Sequence, residues 1–157
     1  AGRMDNPLLQ FELHSDGACL GNPGPGGWAC IVRDADAHEE VLVGGEPNTT
    51  NNRMELMAVL EGLKYLPDAA QAHLHADSQY VLKGLSEWMD NWKRRGWRTS
   101  GRKPVKNEDL WRLLDAQRDR LQIKCNWVEG HAGHADNERC DMLAKQQAEM
   151  FQEEHYP

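Results

Sequence analysis

Four acidic residues, each inside a distinctive short sequence, are the strongest candidates for chemistry in this chain. Asp16 lies in SDGACLGNPGPGG, Glu55 in TTNNRMEL, Asp77 in ADSQYV and Asp141 in NERCDMLA, and the loop EGHAGH with His131 precedes the last of them. Carboxylates that a fold brings together typically bind Mg²⁺, which takes oxygen ligands from a few carboxylates, water and substrate phosphates. The pattern therefore indicates metal-dependent chemistry on phosphodiesters.

The first half of the chain predicts three strands and a helix. Residues 8–14 alternate apolar and polar side chains, as a half-buried strand does. Residues 21–27, GNPGPGG, predict a turn because glycine and proline dominate them. Two further strands are predicted at 28–32 and 40–43, which gives an antiparallel meander. Apolar residues at helical spacing from 53 to 66 then predict an amphipathic helix.

The middle of the chain predicts a strand, a helix and a basic loop. AHLHAD, which ends at Asp77, predicts a short strand, and the apolar stripe from Val81 to Trp92 predicts a helix of about four turns. The sequence GWRTSGRKPVK is broken by glycine and proline and predicts a loop. Asn107 is predicted to be the N-cap of the next helix, because acidic residues follow it in the first turn.

The last third completes an α/β pattern. Leucines at 110, 113, 114 and 121 are predicted on the buried side of the helix that follows Asn107. Residues 123–127 alternate as a final strand, and a last helix begins near residue 136. The order β-β-β-α-β-α-α-β-α is typical of an α/β fold with a mixed sheet and helices on its faces. We expect one domain over residues 1–157, with flexible tails at 1–7 and 152–157.

The predicted elements would bring the four acids together. Asp16 and Asp77 each end a predicted strand, and if those strands are parallel neighbours, both carboxylates emerge at the same edge of the sheet, where α/β sheets bind ligands. Glu55 lies near the start of one helix and Asp141 in the first turns of another. Clustered carboxylates repel one another, so such a group is useful mainly when it binds cations. For any single acid, a cap or turn role is the ordinary alternative.

Composition and charge exclude some classes of protein. The chain has 157 residues, 39% of them hydrophobic and 27% charged, with a net charge of −7. No apolar run approaches the roughly 20 residues that span a bilayer, and no signal peptide is recognisable. Four cysteines without a CxxC pair favour reduced, packed thiols in a cytoplasmic protein.

One segment of the chain is strongly basic, although the chain as a whole has a negative net charge. Between Asn91 and Asn107 there is no acidic residue, and the remainder of the chain holds 11 basic against 25 acidic residues. The seven basic residues of this basic segment are Lys93, Arg94, Arg95, Arg98, Arg102, Lys103 and Lys106. A positive segment on a negative body is typical of a surface that binds a polyanion. A solvated charged loop is the alternative.

Six motifs, ordered along the chain, carry a family resemblance. They are SDGACLGNPGPGGW, TTNNRMEL, DSQYV, NWKRRGW, KPVKNEDLW and EGHAGHADNERCDMLA. From about residue 8 to residue 150 the chain closely resembles bacterial type 1 ribonuclease H. The resemblance implies a five-stranded mixed sheet, in which an antiparallel three-stranded meander joins two parallel strands, with helices on both faces. It also implies endonucleolytic hydrolysis of the RNA strand of RNA/DNA hybrids, which leaves 5′-phosphate and 3′-hydroxyl ends.

The resemblance also implies the site residues. Asp16, Glu55, Asp77 and Asp141 match the catalytic carboxylates that bind two Mg²⁺ ions, with Mn²⁺ able to substitute, and His131 matches a mobile-loop histidine that assists proton movement or product release. Residues that match hybrid contacts near the cleaved strand are Cys19, Asn22, Asn51, Asn52 and Gln79, and Thr50 matches a residue that holds a DNA-strand phosphate. Residues that match the substrate-binding protrusion are Trp88, Trp92, Lys93, Arg94, Arg95, Arg98, Arg102 and Lys103.

Several of these residues have an ordinary structural alternative. Trp88 and Trp92 fall on a helical apolar stripe and could be core residues. Asn51 and Asn52 could simply begin the helix that carries Glu55, and His131 could be a polar cap. Zinc binding by Cys125, His131, His134 and Cys140 is a further alternative, although structural zinc sites usually contain closely spaced cysteine pairs.

The resemblance has departures and competitors. Glu129 stands beside the His131 loop where relatives often carry a basic residue, and Ala18 stands where several have serine. A DNA-junction nuclease of the same fold and a non-catalytic hybrid-binding module are the alternative functions. The glycine-proline turn and the basic segment argue against the first, and the four retained carboxylates argue against the second. We expect a monomer with no obligate protein partner and no membrane association.

Overall fold

Five strands form one mixed sheet in the computed structural model, which describes residues 9–129 and 134–155. The strands are β1 (Gln10–Cys19), β2 (Gly24–Arg33), β3 (Glu39–Thr49), β4 (Gln71–Ala76) and β5 (Gln122–Trp127). Their order in the sheet is β3-β2-β1-β4-β5. Strands β1, β2 and β3 pair antiparallel, whereas β4 pairs parallel with both β1 and β5. The predicted five-stranded mixed sheet is therefore confirmed.

The first three strands are longer than predicted. Strand β1 continues through Cys19, and β2 begins at Gly24, inside the predicted turn of residues 21–27. The backbone ladder continues where the apolar alternation stops, because glycines 26 and 27 still pair with β1. Asp16 consequently lies within β1, and the prediction that it ends the strand is wrong. The parallel pairing of β1 with β4, however, does end at Ser15 and Ala76.

Helices cover both faces of the sheet. They are α1 (Asn51–Tyr65), α2 (Gln79–Lys83), α3 (Met89–Arg94), α4 (Glu108–Arg120) and α5 (Ala135–His155). A π-helical turn at Gly84–Trp88 joins α2 to α3, so the single helix predicted over this stretch is interrupted. Gly84 lies directly against the ring of Trp111, where a Cβ would overlap the indole. The absent side chain lets this turn pack closely on α4.

Three hydrophobic clusters form the core of the described residues, and one of them contains Trp28, Met54 and Ala58. The other two lie on opposite sides of the sheet. The larger one includes Leu13, Leu74 and the fully buried Trp111, packed with α1 and α4. The smaller one lies beneath α5 and contains Ala18, Ala29, Ile31, Cys140 and Ala144. In α4 the predicted buried side is partly wrong. Leu113 is 53% exposed because the buried face runs through Leu110, Trp111 and Leu114.

Asn107 occupies the N-cap position of α4, but it does not act as predicted. Its backbone is left-handed, with φ 60° and ψ 30°, and its side chain makes no capping hydrogen bond. Instead, its Nδ2 donates to the Tyr80 hydroxyl, and its Oδ1 accepts a hydrogen bond from Arg53. Arg53 also pairs with Asp109 at 2.8 Å. These bonds connect the start of α1 to the start of α4.

Strand β5 forms an outer edge of the sheet and is mostly exposed. Cys125 is exposed, and Trp127 at the end of the strand is 50% exposed. Among the helices of residues 9–129 and 134–155, none is both long enough and apolar enough to cross a membrane.

Candidate active site

A very close approach of α1 to β1 brings the first two acids together. A Cβ at Gly17 would lie 2.5 Å from the Glu55 backbone nitrogen and 2.6 Å from the Met54 carbonyl carbon. Only glycine permits this approach, since such distances are far below van der Waals contact. The Gly17 N–H then donates to Asp16 Oδ1 at 2.9 Å and to Glu55 Oε1 at 3.0 Å. One backbone donor therefore orients both carboxyl groups.

The carboxylate cluster consists of Asp16, Glu55 and Asp77. Each offers an oxygen that lies within 4.8 Å of the others. Asp16 and Glu55 are each only 4% exposed, whereas Asp77 is partly exposed. The backbone around Asp77 is held by β5, because the Trp127 indole N–H donates to the Asp77 carbonyl at 3.3 Å. The cluster thus has two buried members and one that is partly exposed.

Burial and mutual repulsion raise the pKa values in this cluster. Burial raises the pKa of Asp16 to about 7, and the charges of Asp77 and Asp141 contribute in the same direction. Burial and then the charge of Asp16 raise the pKa of Glu55 well above its usual range. The interaction between the two side chains raises the pKa of Glu55 and lowers that of Asp16. Without a cation, these groups retain protons at a pH where exposed carboxyls have lost them.

Asp141, the fourth predicted acid, lies in the second turn of α5, close to the cluster but outside it. Its charge contributes to the raised pKa of Asp16, so it faces the same site. Its Oδ2 lies 3.0 Å from the Nζ of Lys145, one helical turn further along α5. The structure therefore brings together three of the four acids. The fourth lies nearby and is paired with the ammonium group of Lys145.

The cluster fits a hard divalent cation. Glu55 Oε2 is buried, and within the described part of the chain it has no hydrogen-bond partner. A buried carboxylate oxygen without a partner is costly unless a cation binds to it. The donor set is entirely carboxylate, which suits Mg²⁺ or Mn²⁺ better than zinc. Among the described residues, no group of three or more potential metal ligands includes a cysteine, so the zinc alternative gains no support.

Comparison with known proteins places the chain in a family. A family model described as RNase H matches residues 9–149. The chain belongs to the RNase H family. Proteins named Ribonuclease H from Aromatoleum aromaticum and Bordetella bronchiseptica are each 58% identical to it, over 136 and 140 residues. These alignments cover 87% and 89% of this chain and 88% and 90% of the relatives.

Solved RNase H structures share the fold. LC9-RNase H1, a type 1 RNase H with the type 2 active-site motif, is 32% identical and superposes with a TM-score of 0.82 over 92% of this chain and 74% of its own. LC11-RNase H1, solved in complex with an RNA/DNA hybrid, is 18% identical and has a TM-score of 0.63 over 89% of this chain and 97% of its own. At that identity the second likeness supports the fold alone.

Two of the residues predicted to contact the hybrid, Cys19 and Asn22, lie around the turn between β1 and β2. The Asn22 Oδ1 accepts a hydrogen bond from the Asn51 backbone N–H at 3.0 Å, which joins this turn to the start of α1. The Cys19 sulfur lies within hydrogen-bonding distance of three carbonyl oxygens, those of Gly21, Gly24 and Thr49. Burial raises the pKa of the Cys19 thiol, so it stays protonated and packs here as a neutral group.

The remaining predicted contact residues lie at helix starts. Thr50 is the N-cap of α1, where its hydroxyl accepts a hydrogen bond from the Arg53 N–H at 3.2 Å. Asn51 and Asn52 are exposed in the first turn of α1, and Gln79 is exposed as the first residue of α2. The structural alternative for Asn51 is thus partly correct. Its backbone begins the helix while its side chain remains accessible.

Trp88 and Trp92 belong to an aromatic cluster with Tyr80 and Trp111. The ring centroids of Trp88 and Trp92 are 5.9 Å apart, and those of Trp92 and Trp111 are 5.2 Å apart. Trp88 is 37% exposed, so it is not simply a core residue. A cavity of about 300 Å³ lies between these two rings and the basic segment, where Lys103 and Lys106 also line it.

The basic segment is exposed at every basic position. Arg95, Arg98 and Arg102 line one open cavity of about 530 Å³. Within residues 9–129 and 134–155, Lys93 is the member of the segment that forms an ion pair, because its Nζ lies 3.0 Å from Asp115 of α4. The acid-free run in the sequence therefore gives a positive surface in the fold, with one of its charges balanced by a distant residue.

One predicted residue cannot be placed, and two contributors were missed. His131 lies outside the described residues. Gly17 was not predicted to matter, although an Asp-Gly pair beside a candidate ligand could have indicated a close backbone approach. Lys145 was also missed, although its spacing of four residues from Asp141 predicts that the two side chains are neighbours on a helix.

Proposed function

We propose that this chain hydrolyses the RNA strand of RNA/DNA hybrids at a site formed by Asp16, Glu55, Asp77 and Asp141, with divalent metal ions as cofactors. The observation that carries the proposal is the carboxylate cluster in a chain of the RNase H family, in which one buried Glu55 oxygen has no hydrogen-bond partner among the described residues. The expected products carry 5′-phosphate and 3′-hydroxyl ends. Mg²⁺ is the proposed ion, and Mn²⁺ is expected to substitute.

The side chains have separate roles in this proposal. Divalent cations held by these carboxylates would supply Lewis-acid activation of the phosphodiester and would lower the pKa of the attacking water. The shared Gly17 N–H holds oxygens of Asp16 and Glu55 in place, whereas Asp77 and Asp141 are partly exposed. The raised pKa values mean that cation binding must release protons from the cluster.

Recognition of a hybrid requires contact with both strands. The 2′-hydroxyl distinguishes RNA from DNA and is accessible across the wide minor groove of an A-like duplex. The exposed side chains of Asn51, Asn52 and Gln79 can both donate and accept hydrogen bonds, which suits a hydroxyl. We assign Cys19 and Asn22 to the same surface, Thr50 to a DNA-strand phosphate, and Trp88, Trp92 and the basic segment to the flanking duplex.

Substrate preference is the decisive test. One labelled RNA strand would be presented single-stranded, in an RNA duplex and in an RNA/DNA hybrid, each with Mg²⁺ and with EDTA. We expect cleavage of the hybrid alone and only with Mg²⁺. Binding without cleavage would support a non-catalytic hybrid-binding module, and preference for branched DNA would support a junction nuclease. Asp16→Asn protein purified in parallel controls for contaminating nucleases.

Hybrid binding is expected to weaken steeply with salt, because phosphate contacts release counterions. Replacing Arg98 and Arg102 with Gln should lower the slope of log affinity against log salt concentration by about one for each lost contact. Fluorescence anisotropy in EDTA, which prevents cleavage, measures this. Lys64→Gln, at an exposed position on α1, is the control and should leave the slope unchanged. Equal slopes for all three proteins would refute a role for the basic segment.

His131→Ala is expected to lower the turnover number about a hundredfold, the scale of lost acid–base assistance, without abolishing cleavage. The metal-binding carboxylates would remain, and an unperturbed histidine titrates near neutral pH. Steady-state kinetics on a hybrid at saturating Mg²⁺ would measure the effect. His134→Ala, a change at an exposed neighbour, is the control, and turnover that is unchanged in His131→Ala would contradict the assignment.

We further propose that residues 1–157 act as a single catalytic domain and that the protein is a cytoplasmic monomer. The continuous five-stranded sheet and the match to the RNase H family over residues 9–149 support the first point. Sedimentation analysis tests the oligomeric state.

A further inference from the structure

Lys145 on α5 forms an ion pair with Asp141, one of the proposed metal ligands. Its Nζ lies 3.0 Å from Asp141 Oδ2, and the two residues are one helical turn apart. Asp141 is the proposed ligand that remains outside the mutual 4.8 Å grouping of Asp16, Glu55 and Asp77. The acid that is not in the cluster is thus the one that already has a positive partner.

The lysine can leave this position without disturbing the fold. Its side chain is 58% exposed, whereas that of Asp141 is only 21% exposed. Lysine has a flexible four-carbon side chain that ends in a compact ammonium group. The ammonium group can therefore move into solvent, while the carboxylate stays directed at the site.

We propose that Lys145 competes with divalent cations for Asp141 and so lowers the affinity of the site for metal. This inference rests on the proposed function, which makes Asp141 a metal ligand. An ammonium group 3.0 Å from Oδ2 occupies the space in which a cation would bind that oxygen. Like charges repel, so a divalent ion can use Oδ2 only after Lys145 has moved away.

A purely structural role is the alternative. An Asp–Lys pair at i and i+4 on a helix commonly gives a small stabilisation and nothing more. The chain contains a similar pair for comparison, spaced by three residues, because Lys64 Nζ lies 3.2 Å from Glu61 Oε2 on α1 and the lysine is similarly exposed. If Lys145 is only a surface partner, removing it should have the same consequences as removing Lys64.

Direct measurement of Mn²⁺ binding tests the proposal without using cleavage as the readout. Isothermal titration calorimetry would compare the full wild-type chain with Lys145→Gln, Lys145→Arg and Lys64→Gln at pH 7.5 without substrate. We expect Lys145→Gln to bind Mn²⁺ about fivefold more tightly, since one competing ion pair has been removed. Lys145→Arg, which keeps the charge, and Lys64→Gln should both resemble the wild type. Unchanged or weaker binding by Lys145→Gln would overturn the inference.

A double-mutant cycle separates this inference from the proposed function. Asp141→Asn should weaken Mn²⁺ binding, and adding Lys145→Gln to it should give no further gain, because the competitor acts only through Asp141. If Asp141→Asn leaves the affinity unchanged, the proposed ligand set fails and the inference fails with it. If Asp141→Asn weakens binding but Lys145→Gln has no effect in either background, only the role of Lys145 is refuted.

Discussion

Asp16→Asn is expected to reduce hybrid cleavage by at least about a thousandfold, which corresponds to about 4 kcal/mol of transition-state stabilisation. Asparagine keeps the size of the side chain and can still accept a hydrogen bond from the Gly17 N–H. It removes the negative charge that would hold a cation beside Glu55. Cleavage rates under single-turnover conditions at saturating Mg²⁺ measure this loss. A variant that retained a tenth of the activity would exclude Asp16 as a metal ligand.

The same substitution should make the metal-free protein more stable at pH 8, by about 2 kcal/mol. The pKa of Asp16 is raised to about 7, so the folded state binds its proton more tightly than the unfolded state does. The wild-type protein therefore has its full stability from this group below about pH 4 and loses it as the pH rises toward 7. Asparagine resembles the protonated form at every pH and avoids this loss.

Urea unfolding in EDTA at pH 4.5 and pH 8 would measure this difference, which should be large at pH 8 and small at pH 4.5. Asp109→Asn is the control, and we expect this substitution to lower the stability at pH 8 instead of raising it. The hydrogen bond from Arg53 lowers the pKa of Asp109, so its charged form stabilises the folded protein above the unfolded pKa. A wild type that is more stable than Asp16→Asn at pH 8 without metal would contradict the electrostatic account of the site.

Gly27→Ala is expected to reduce the free energy of unfolding by about 2 to 3 kcal/mol, the usual scale of overpacking. A Cβ on Gly27 would overlap the Ala144 carbonyl oxygen and lie 2.6 Å from the Ala148 nitrogen, so α5 must move off the sheet. Because α5 carries Asp141, cleavage should also decline. Overpacking by one methyl group thus acts on stability and on the site together.

Chemical denaturation and hybrid cleavage, measured on the same preparation, test both effects of Gly27→Ala. Gly101→Ala is the matched control, since the nearest atom to its Cβ is the Thr99 hydroxyl at an ordinary 3.8 Å. We expect that variant to resemble the wild type. A Gly27→Ala protein of unchanged stability would mean that α5 can adjust at no cost.

The order of elements could be predicted from sequence because hydrophobic periodicity is strong where one face is buried. The helix at Asn51–Tyr65 and the strand at Gln71–Ala76 were predicted nearly to their ends. For other elements, the predictions are wrong where forces other than hydrophobic burial decide the structure. Strand β1 extends past the apolar alternation because backbone pairing continues through glycine, and Leu113 is exposed because Trp111 determines which face of α4 is buried.

The convergence of acids was predictable from motifs, whereas their arrangement was not. The cluster of Asp16, Glu55 and Asp77 forms where the parallel pairing of β1 with β4 ends, close to the start of α1. No sequence pattern predicts the distance from Gly17 to the Glu55 backbone, because this distance depends on how closely α1 packs on β1. The pairing of Lys93 with Asp115 likewise joins residues whose proximity depends on tertiary packing.

The hydrogen bonds from Arg53 to Asn107 and Asp109 help to set the distance between the carboxylate cluster and the basic segment. They connect α1, which carries Glu55, to the end of the basic segment. Helix α1 also packs against α4. The distance between the surface proposed to hold the duplex and the carboxylates is therefore fixed by the fold. A hybrid held at one phosphate would present an internucleotide bond a constant number of nucleotides away, so fragment lengths would reflect this rigid spacing.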